Sequence, residues 1–268
     1  MAILTISRAY GAGGYQVGRL LARALNCDLV DRHRLARDLR AYGDRWARLD
    51  LDLNEINPSL WERHDRQYLA YLAVVQAAVL SHALHKNCIV LGRGGNFILA
   101  DLPYCLRLRL IAPFDLRVKR IMEREGIGDS RQAQANVRQV DQERAGYIKF
   151  LYGRNIENAE LYDLVCNTDG MDYEEVAEML LPALTRRQAL VTPEAMEKTR
   201  DLALAARLKA AIATDRRLLL PTLEIVPSAE GMLVKATIHR PEDNEIIKSL
   251  CLQVLEDHPF RLELRPRA

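Results

Sequence analysis

Apolar positions along the chain change period repeatedly, and the changes mark alternating strands and helices. Residues 2–7 (AILTIS) form a short apolar run of the kind that fills a buried parallel strand. After a glycine-rich turn, Val17, Leu20, Leu21, Ala24 and Leu25 recur at helical spacing, one stripe to lay on a sheet. Gly18 weakens that helix, and close approach to a strand is the reason to keep it there. Asp28-Leu29-Val30 reads as a second strand, followed by a basic helix over about 32–42. Residues 43–66, with two tryptophans, Pro58 and many charges, are expected to be irregular. A long helix follows over about 67–86, carried by Tyr68, Leu72, Val75, Val79, Leu80 and Ala83.

Cys88 to Leu91 reads as a third strand, ending in Gly92-Arg93-Gly94-Gly95, and Cys105 to Ala112 as a fourth. Pro113 then opens a helix running to about Glu125, where its missing N–H does no harm. Residues 126–156 are polar and rich in arginine and glutamine, a helical excursion from the core. Tyr162 to Asn167 is a fifth strand, and Tyr173, Val176, Ala177, Leu180, Leu181 and Leu184 mark a closing amphipathic helix. Strands alternating with helices predict an α/β fold with a doubly wound parallel sheet flanked by helices. Such sheets bind ligands beyond the carboxyl ends of their strands. Arg186 to Arg200 is poor in large apolar residues and contains Pro193, so a boundary is placed there. That gives a first domain over 1–190 and a small α+β domain over 200–268, whose pattern reads helix, strand, strand, helix, strand.

Composition narrows the function classes. Of 268 residues, 49% are hydrophobic and 28% charged, which supports a sizeable core in a soluble chain. A net charge of +2 supplies no overall field for nucleic acid or an anionic membrane, so neither partner is expected. No stretch is read as a spanning helix of roughly 18 uncharged residues, and MAILTISR is read as lacking a secretion signal; both lead to the expectation of a cytoplasmic chain. The five cysteines are scattered, without a C-x-x-C pair, which argues for buried thiols over disulfides or zinc. His82 and His85 share a helix face but lack a third ligand, and no metal site is assigned from protein residues. Trp46 and Trp61 are read as packing within the insertion.

The candidate chemistry sits just after the first strand. A phosphate needs several N–H donors converging without side chains in the way, and glycines leading into a helix N-terminus provide that. Arg8 to Tyr15 (R-A-Y-G-A-G-G-Y) has this placement. Set on the phosphate-loop pattern G-x-x-x-x-G-K-[ST], Arg8 takes the place of the first glycine and Gly13 the second. Gly14 then replaces the lysine, and Tyr15 the hydroxyl residue that usually holds Mg²⁺. Arg8 offers a substitute charge and Ser7 a substitute oxygen; a turn that only lets strand and helix pack closely is the competing account of the glycines.

Five segments, taken together, resemble the cytidylate kinase-like branch of the nucleoside monophosphate kinases: I-S-R-A-Y-G-A-G-G (6–14), V-D-R (30–32), V-L-G-R-G-G-N (90–96), D-Q-E-R-A-x-Y (141–147) and Y-D-L-V-C-N-T (162–168). The resemblance covers residues 1 to about 185 and implies a P-loop kinase-type core with an acceptor-binding insertion (about 43–66) and a lid (about 126–156). It implies ATP and Mg²⁺ as cofactors and a small-molecule nucleotide as partner. By position, Ser7, Gly11, Ala12, Gly13, Gly14, Tyr15 and Arg120 would surround the donor phosphates. Asp31, Arg93 and Asp141 would serve the acceptor, and Arg8, Arg93 and Arg144 would neutralise the transferring group. Gly94 stands where relatives carry the aspartate of G-R-D, which weakens the expectation of cytosine selectivity.

Several of these residues also have plainer roles: Asp31 as a helix cap, Arg144 as a solvated arginine or local partner of Asp141, and Arg117, Arg120 and Arg124 as a solvated helix face. The 200–268 pattern resembles the BON-type fold, which implies a regulatory-ligand or dimerisation role without catalysis. The expected activity is ATP-dependent phosphoryl transfer to a CMP- or dCMP-like nucleoside monophosphate or similar small acceptor. A nucleotide sensor that binds without turnover is the alternative, favoured by the missing loop lysine.

Overall fold

In the computed structural model, which describes residues 2–53, 55–59, 61–62, 65–84 and 88–267, β1 (Ile3–Arg8) is the middle strand of a five-stranded sheet. Its residues Ile3 to Ser7 are buried on both faces, as a mostly apolar run predicts. Helix α1 (Gly14–Ala24), β2 (Asp28–Val30), α2 (Arg32–Leu39), α3 (Asp44–Leu53), α4 (Arg66–Leu84) and β3 (Cys88–Leu91) follow. Next come α5 (Gly95–Ile98), β4 (Cys105–Ile111), α6 (Phe114–Glu125), α7 (Ser130–Tyr152), β5 (Leu164–Asn167) and α8 (Tyr173–Gln188). The strand order is β2-β3-β1-β4-β5, parallel throughout. One face of the sheet is closed by α1 and α8, where Leu4, Ile6, Val17, Leu21, Val176 and Leu180 pack together. A Cβ on Gly18 would lie 3.1 Å from Leu29, the close helix–strand approach expected of that glycine.

The other face is closed by α4, whose residues from Tyr68 to Ala83 are buried nearly all round. The expectation that no stretch is long and uncharged enough to span a membrane is corrected here: residues 67–85 carry no Asp, Glu, Lys or Arg, and length and composition alone would let α4 cross a membrane, although 61% of its apolar window is buried inside the fold. His85, considered with His82, lies outside the described residues. His82 itself pairs with Asp38 at 2.8 Å.

Two expectations change inside the insertion. Residues 44–53 form a helix, α3, with Trp46, Ala47 and Asp50 buried against the core. The interleaved Asp44, Arg45, Arg48 and Asp52 hide that face in the sequence, and its third member is itself an acid. Trp46 packs as expected, whereas Trp61 is 89% exposed and packs against little.

Beyond α8 the chain turns at 189–192, and Thr192 caps α9 (Pro193–Thr214). The expected order follows, with β6 (Leu223–Ser228), β7 (Gly231–Ile238), α10 (Glu242–Leu255) and β8 (Phe260–Pro266). β7 is central, antiparallel to β6 and parallel to β8. Helix α9 serves two cores. Ala195, Ala203, Ala206 and Ala210 pack on the α4 side, while Ala205, Leu208 and Ile212 join Val234, Ile247 and Leu255 of the small domain. The C-terminal unit is thereby built directly onto the central helix of the first.

Candidate active site

The loop between β1 and α1 needs its glycines. Gly11 and Gly13 have φ of 85° and 84°, the left-handed region that side chains disfavour. A Cβ on Gly11 would lie 2.9 Å from the Arg117 carbonyl oxygen, and one on Gly13 2.1 Å from the Tyr173 ring. No side chain caps α1 at Gly13, so the first-turn N–H groups of the helix stay free for an anion. These features fit a phosphate cradle and go beyond a turn that merely brings strand and helix together.

The loop and the start of α1 line two cavities. Gly11, Gly13, Arg120, Arg124 and Tyr173 border one of about 300 Å³. Tyr15, Asp31, Arg34, Arg37 and Arg48 border another of about 740 Å³. Asp31 caps α2 by accepting the Arg34 N–H at 2.8 Å, and it lines the larger cavity as well. Arg120 reaches Thr168 through its hydroxyl (2.8 Å) and its carbonyl (2.9 Å), and lies over the Tyr173 ring. It is therefore fixed at the smaller cavity rather than solvated.

Three expectations about oxygen and charge are revised. The Ser7 hydroxyl is buried, accepts Arg109 at 3.0 Å and meets the Tyr162 hydroxyl at 3.3 Å, so it does not open toward the loop. Arg117, taken as part of a solvated face, clamps the loop by donating to the Tyr10 carbonyl (3.1 Å), the Ala112 carbonyl (3.0 Å) and Asp141 (2.5 Å). Asp141 also accepts the Tyr10 N–H at 2.8 Å. Helix α7, in the segment expected to act as a lid, is thus bound to the loop through Asp141, and Asp141 and Arg144 make separate contacts instead of pairing locally.

Arg8, Arg144 and Arg93 converge on an acid that the sequence did not single out. Glu55 accepts Arg8 at 2.9 Å, Arg144 at 3.0 Å and the backbone N–H of Arg93 at 2.7 Å. Burial alone would push the Glu55 carboxyl up, but the charges of Arg8 and Arg144 outweigh it and hold the group well below the usual carboxylate range. Burial and the like charge of Arg8 lower Arg144 to about 10. The guanidinium of Arg93 points elsewhere. It is 3% exposed and pairs with Asp50 at 3.0 Å and the Tyr71 hydroxyl at 3.3 Å, in the core between α3 and α4. In this arrangement only its backbone joins the loop residues. Burial pushes Asp50 up by more than Arg93 pulls it down.

Gly94, at the position of the G-R-D aspartate, has φ of 67°, and a Cβ there would lie 2.7 Å from the Tyr152 ring. Tyr152 stacks on Phe97 with centroids 4.3 Å apart and fills the place of that side chain.

Residues 3–170 match the cytidylate kinase-like family. The chain belongs to this family. The cytidylate kinase of Ignicoccus hospitalis is 30% identical over 186 residues, covering 67% of this chain and 97% of that protein. The cytidylate kinase of Methanothermobacter thermautotrophicus is 28% identical over 173 residues, covering 64% and 98%. A 108-residue stretch is 31% identical to the uronate isomerase of Corynebacterium glutamicum, and there the chain spans only 21% of the relative. Among solved structures, an uncharacterized protein from Eubacterium ventriosum superposes with a TM-score of 0.55 at 21% identity, over 69% of this chain and 99% of that one, a likeness of fold. The family match ends before α8, so α9, α10 and the second sheet lie outside it.

Proposed function

We propose that this cytidylate kinase-like protein transfers a phosphoryl group from ATP to a nucleoside monophosphate or a similar small anionic acceptor, working in the cytoplasm. The observation that carries the reading is the glycine loop with its uncapped helix N-terminus, with Gly11 and Gly13 on one cavity, Tyr15 of α1 on a second, and Arg8 and Arg144 beside the loop. Phosphoryl transfer asks for positioning and charge neutralisation more than for a base. The backbone N–H groups of Gly11 to Gly14 would hold the donor phosphates. Arg120 and Tyr173 would border the donor in the smaller cavity. Asp31 and the arginines of the larger cavity would receive the acceptor, and Arg8 and Arg144 would face the transferring charge. Mg²⁺ is expected with ATP in this family, but the Ser7 hydroxyl, already bonded to Arg109 and Tyr162, is not placed to hold it. The small C-terminal domain, fixed to α4, would act as a regulatory or dimerising unit.

A second reading has support of its own. Gly14 stands in place of the loop lysine and Glu55 already occupies Arg8 and Arg144, as suits a nucleotide sensor without turnover. Incubating the purified protein with ATP, Mg²⁺ and a panel of nucleoside monophosphates, then separating products by chromatography, decides between them. A diphosphate formed from one acceptor, with Arg120→Ala raising the KM for ATP more than that for the acceptor, supports the kinase. ATP binding without product from any acceptor favours the sensor.

A further inference from the structure

The pocket formed by Arg8, Arg144 and the Arg93 amide is filled by a carboxylate. Glu55 is 8% exposed and takes two guanidinium groups and one backbone N–H on its two oxygens. Paired guanidinium donors of this kind are the usual setting for a phosphoryl group. Neither Arg8 nor Arg144 forms an ion pair with any other carboxylate among the described residues. Their side chains are 16% and 12% exposed, so both can still be reached from solvent.

Glu55 belongs to the short segment 55–59 between α3 and α4. Within that segment the Ile56 N–H donates to the Leu53 carbonyl (2.9 Å) and the Asn57 N–H to Glu143 on α7 (2.7 Å). One acid therefore ties together the phosphate loop through Arg8, the lid through Arg144 and the end of β3 through the Arg93 amide.

Resting on the phosphoryl-transfer reading above, we propose that Glu55 is an internal stand-in for a phosphoryl group. It occupies the Arg8–Arg144 pair in the ligand-free protein, and the phosphate of an incoming nucleotide displaces it. A phosphoryl group brings more charge and more acceptor oxygens than a carboxylate, so it competes for the same donors. Entry of the phosphate and release of segment 55–59 become one event. The apparent affinity is then lowered by the fraction of molecules in which Glu55 holds the site. A merely structural Glu55, propping two arginines apart, would have the opposite effect when removed, because the arginines would lose their positions.

The test is a calorimetric titration of inorganic tripolyphosphate, without acceptor, into the protein and into Glu55→Gln. The stand-in role expects the variant to bind about tenfold more tightly, since its competitor is gone. Equal or weaker binding by the variant overturns the inference while leaving the phosphate loop intact. No binding by either protein would remove the phosphate site itself, and the inference with it. Should Glu55→Gln not fold, amide hydrogen exchange in the unaltered protein decides: saturating tripolyphosphate should speed exchange over 55–59, and slowed or unchanged exchange there overturns the proposal.

Discussion

Arg93 and Asp50 form an ion pair at 3.0 Å with 3% and 0% of their side chains exposed. Removing one member of so buried a pair leaves the other charge unsolvated, a loss of about 3–5 kcal/mol, whereas replacing both with apolar groups is often neutral. Arg93→Met should therefore destabilise the protein strongly, and Arg93→Met with Asp50→Leu should recover most of that loss in denaturant unfolding. Because the guanidinium faces α3 and not the loop, the double variant should keep tripolyphosphate binding within a few-fold of the parent. A double variant as unstable as the single one would refute this account of the pair.

Gly11 and Gly126 both have positive φ, 85° and 67°, but different surroundings. Nothing lies within 4 Å of a Cβ built on Gly126, whereas one on Gly11 would meet Arg117 at 2.9 Å. Gly126→Ala should cost only backbone strain, about 1–2 kcal/mol, and leave ATP affinity unchanged. Gly11→Ala should also abolish ATP binding, because the loop must move away from α6. Thermal unfolding and a nucleotide titration on the two variants give the comparison.

Glu55 and Asp50 should contribute to pH dependence with opposite signs. The folded-state pKa of Glu55 is depressed, so its stabilisation is fully present above the ordinary glutamate value of about 4.3 and is lost as pH falls through the depressed one. That of Asp50 is raised, so protonation favours the folded form and acid partly offsets the loss. The stability difference between the protein and Glu55→Gln should be constant near neutral pH and shrink below about pH 4. Urea titrations at a series of pH values measure it, and a difference that grows in acid would contradict the sign.

The sheet could be read from the sequence because buried parallel strands such as Ile3–Ser7 and Cys88–Leu91 are short, mostly apolar runs that lead into glycine-containing turns. The loop was legible for a related reason: only glycine tolerates the conformations at 11 and 13. What stayed hidden depends on partners distant in the chain. Helix α3 conceals its buried face behind alternating charges and includes Asp50 in it. Arg93 follows the carboxyl end of β3, but its φ of 56° and the ion pair with Asp50, 43 residues earlier, turn its guanidinium into the core. Glu55 carries no local signal, being one acid in a polar stretch whose importance comes from arginines 47 and 89 positions away. Arg117 looked solvated because the loop carbonyl it holds is 107 residues earlier.

Asp141 gives α7 a specific hold on the loop, and a second aspartate beside the same helix supplies a control. Asp141 accepts both the Tyr10 N–H (2.8 Å) and Arg117 (2.5 Å). Asp129 instead caps α7, accepting the Arg131 N–H at 2.9 Å on an exposed surface. Asp129→Ala should cost about 1 kcal/mol of stability, the ordinary value of a lost cap, and leave ATP affinity untouched. Asp141→Ala removes hydrogen bonds to a charged acceptor worth about 1.5–3 kcal/mol each, and it frees Arg117 and the Tyr10 amide together. ATP affinity should then fall by about tenfold or more, since the loop must be ordered again at each binding event. Amide exchange at Tyr10 should rise in Asp141→Ala and not in Asp129→Ala. If both variants lost stability alike and kept ATP affinity, Asp141 would be a packing residue of α7, and α7 would have no hold on the glycine loop.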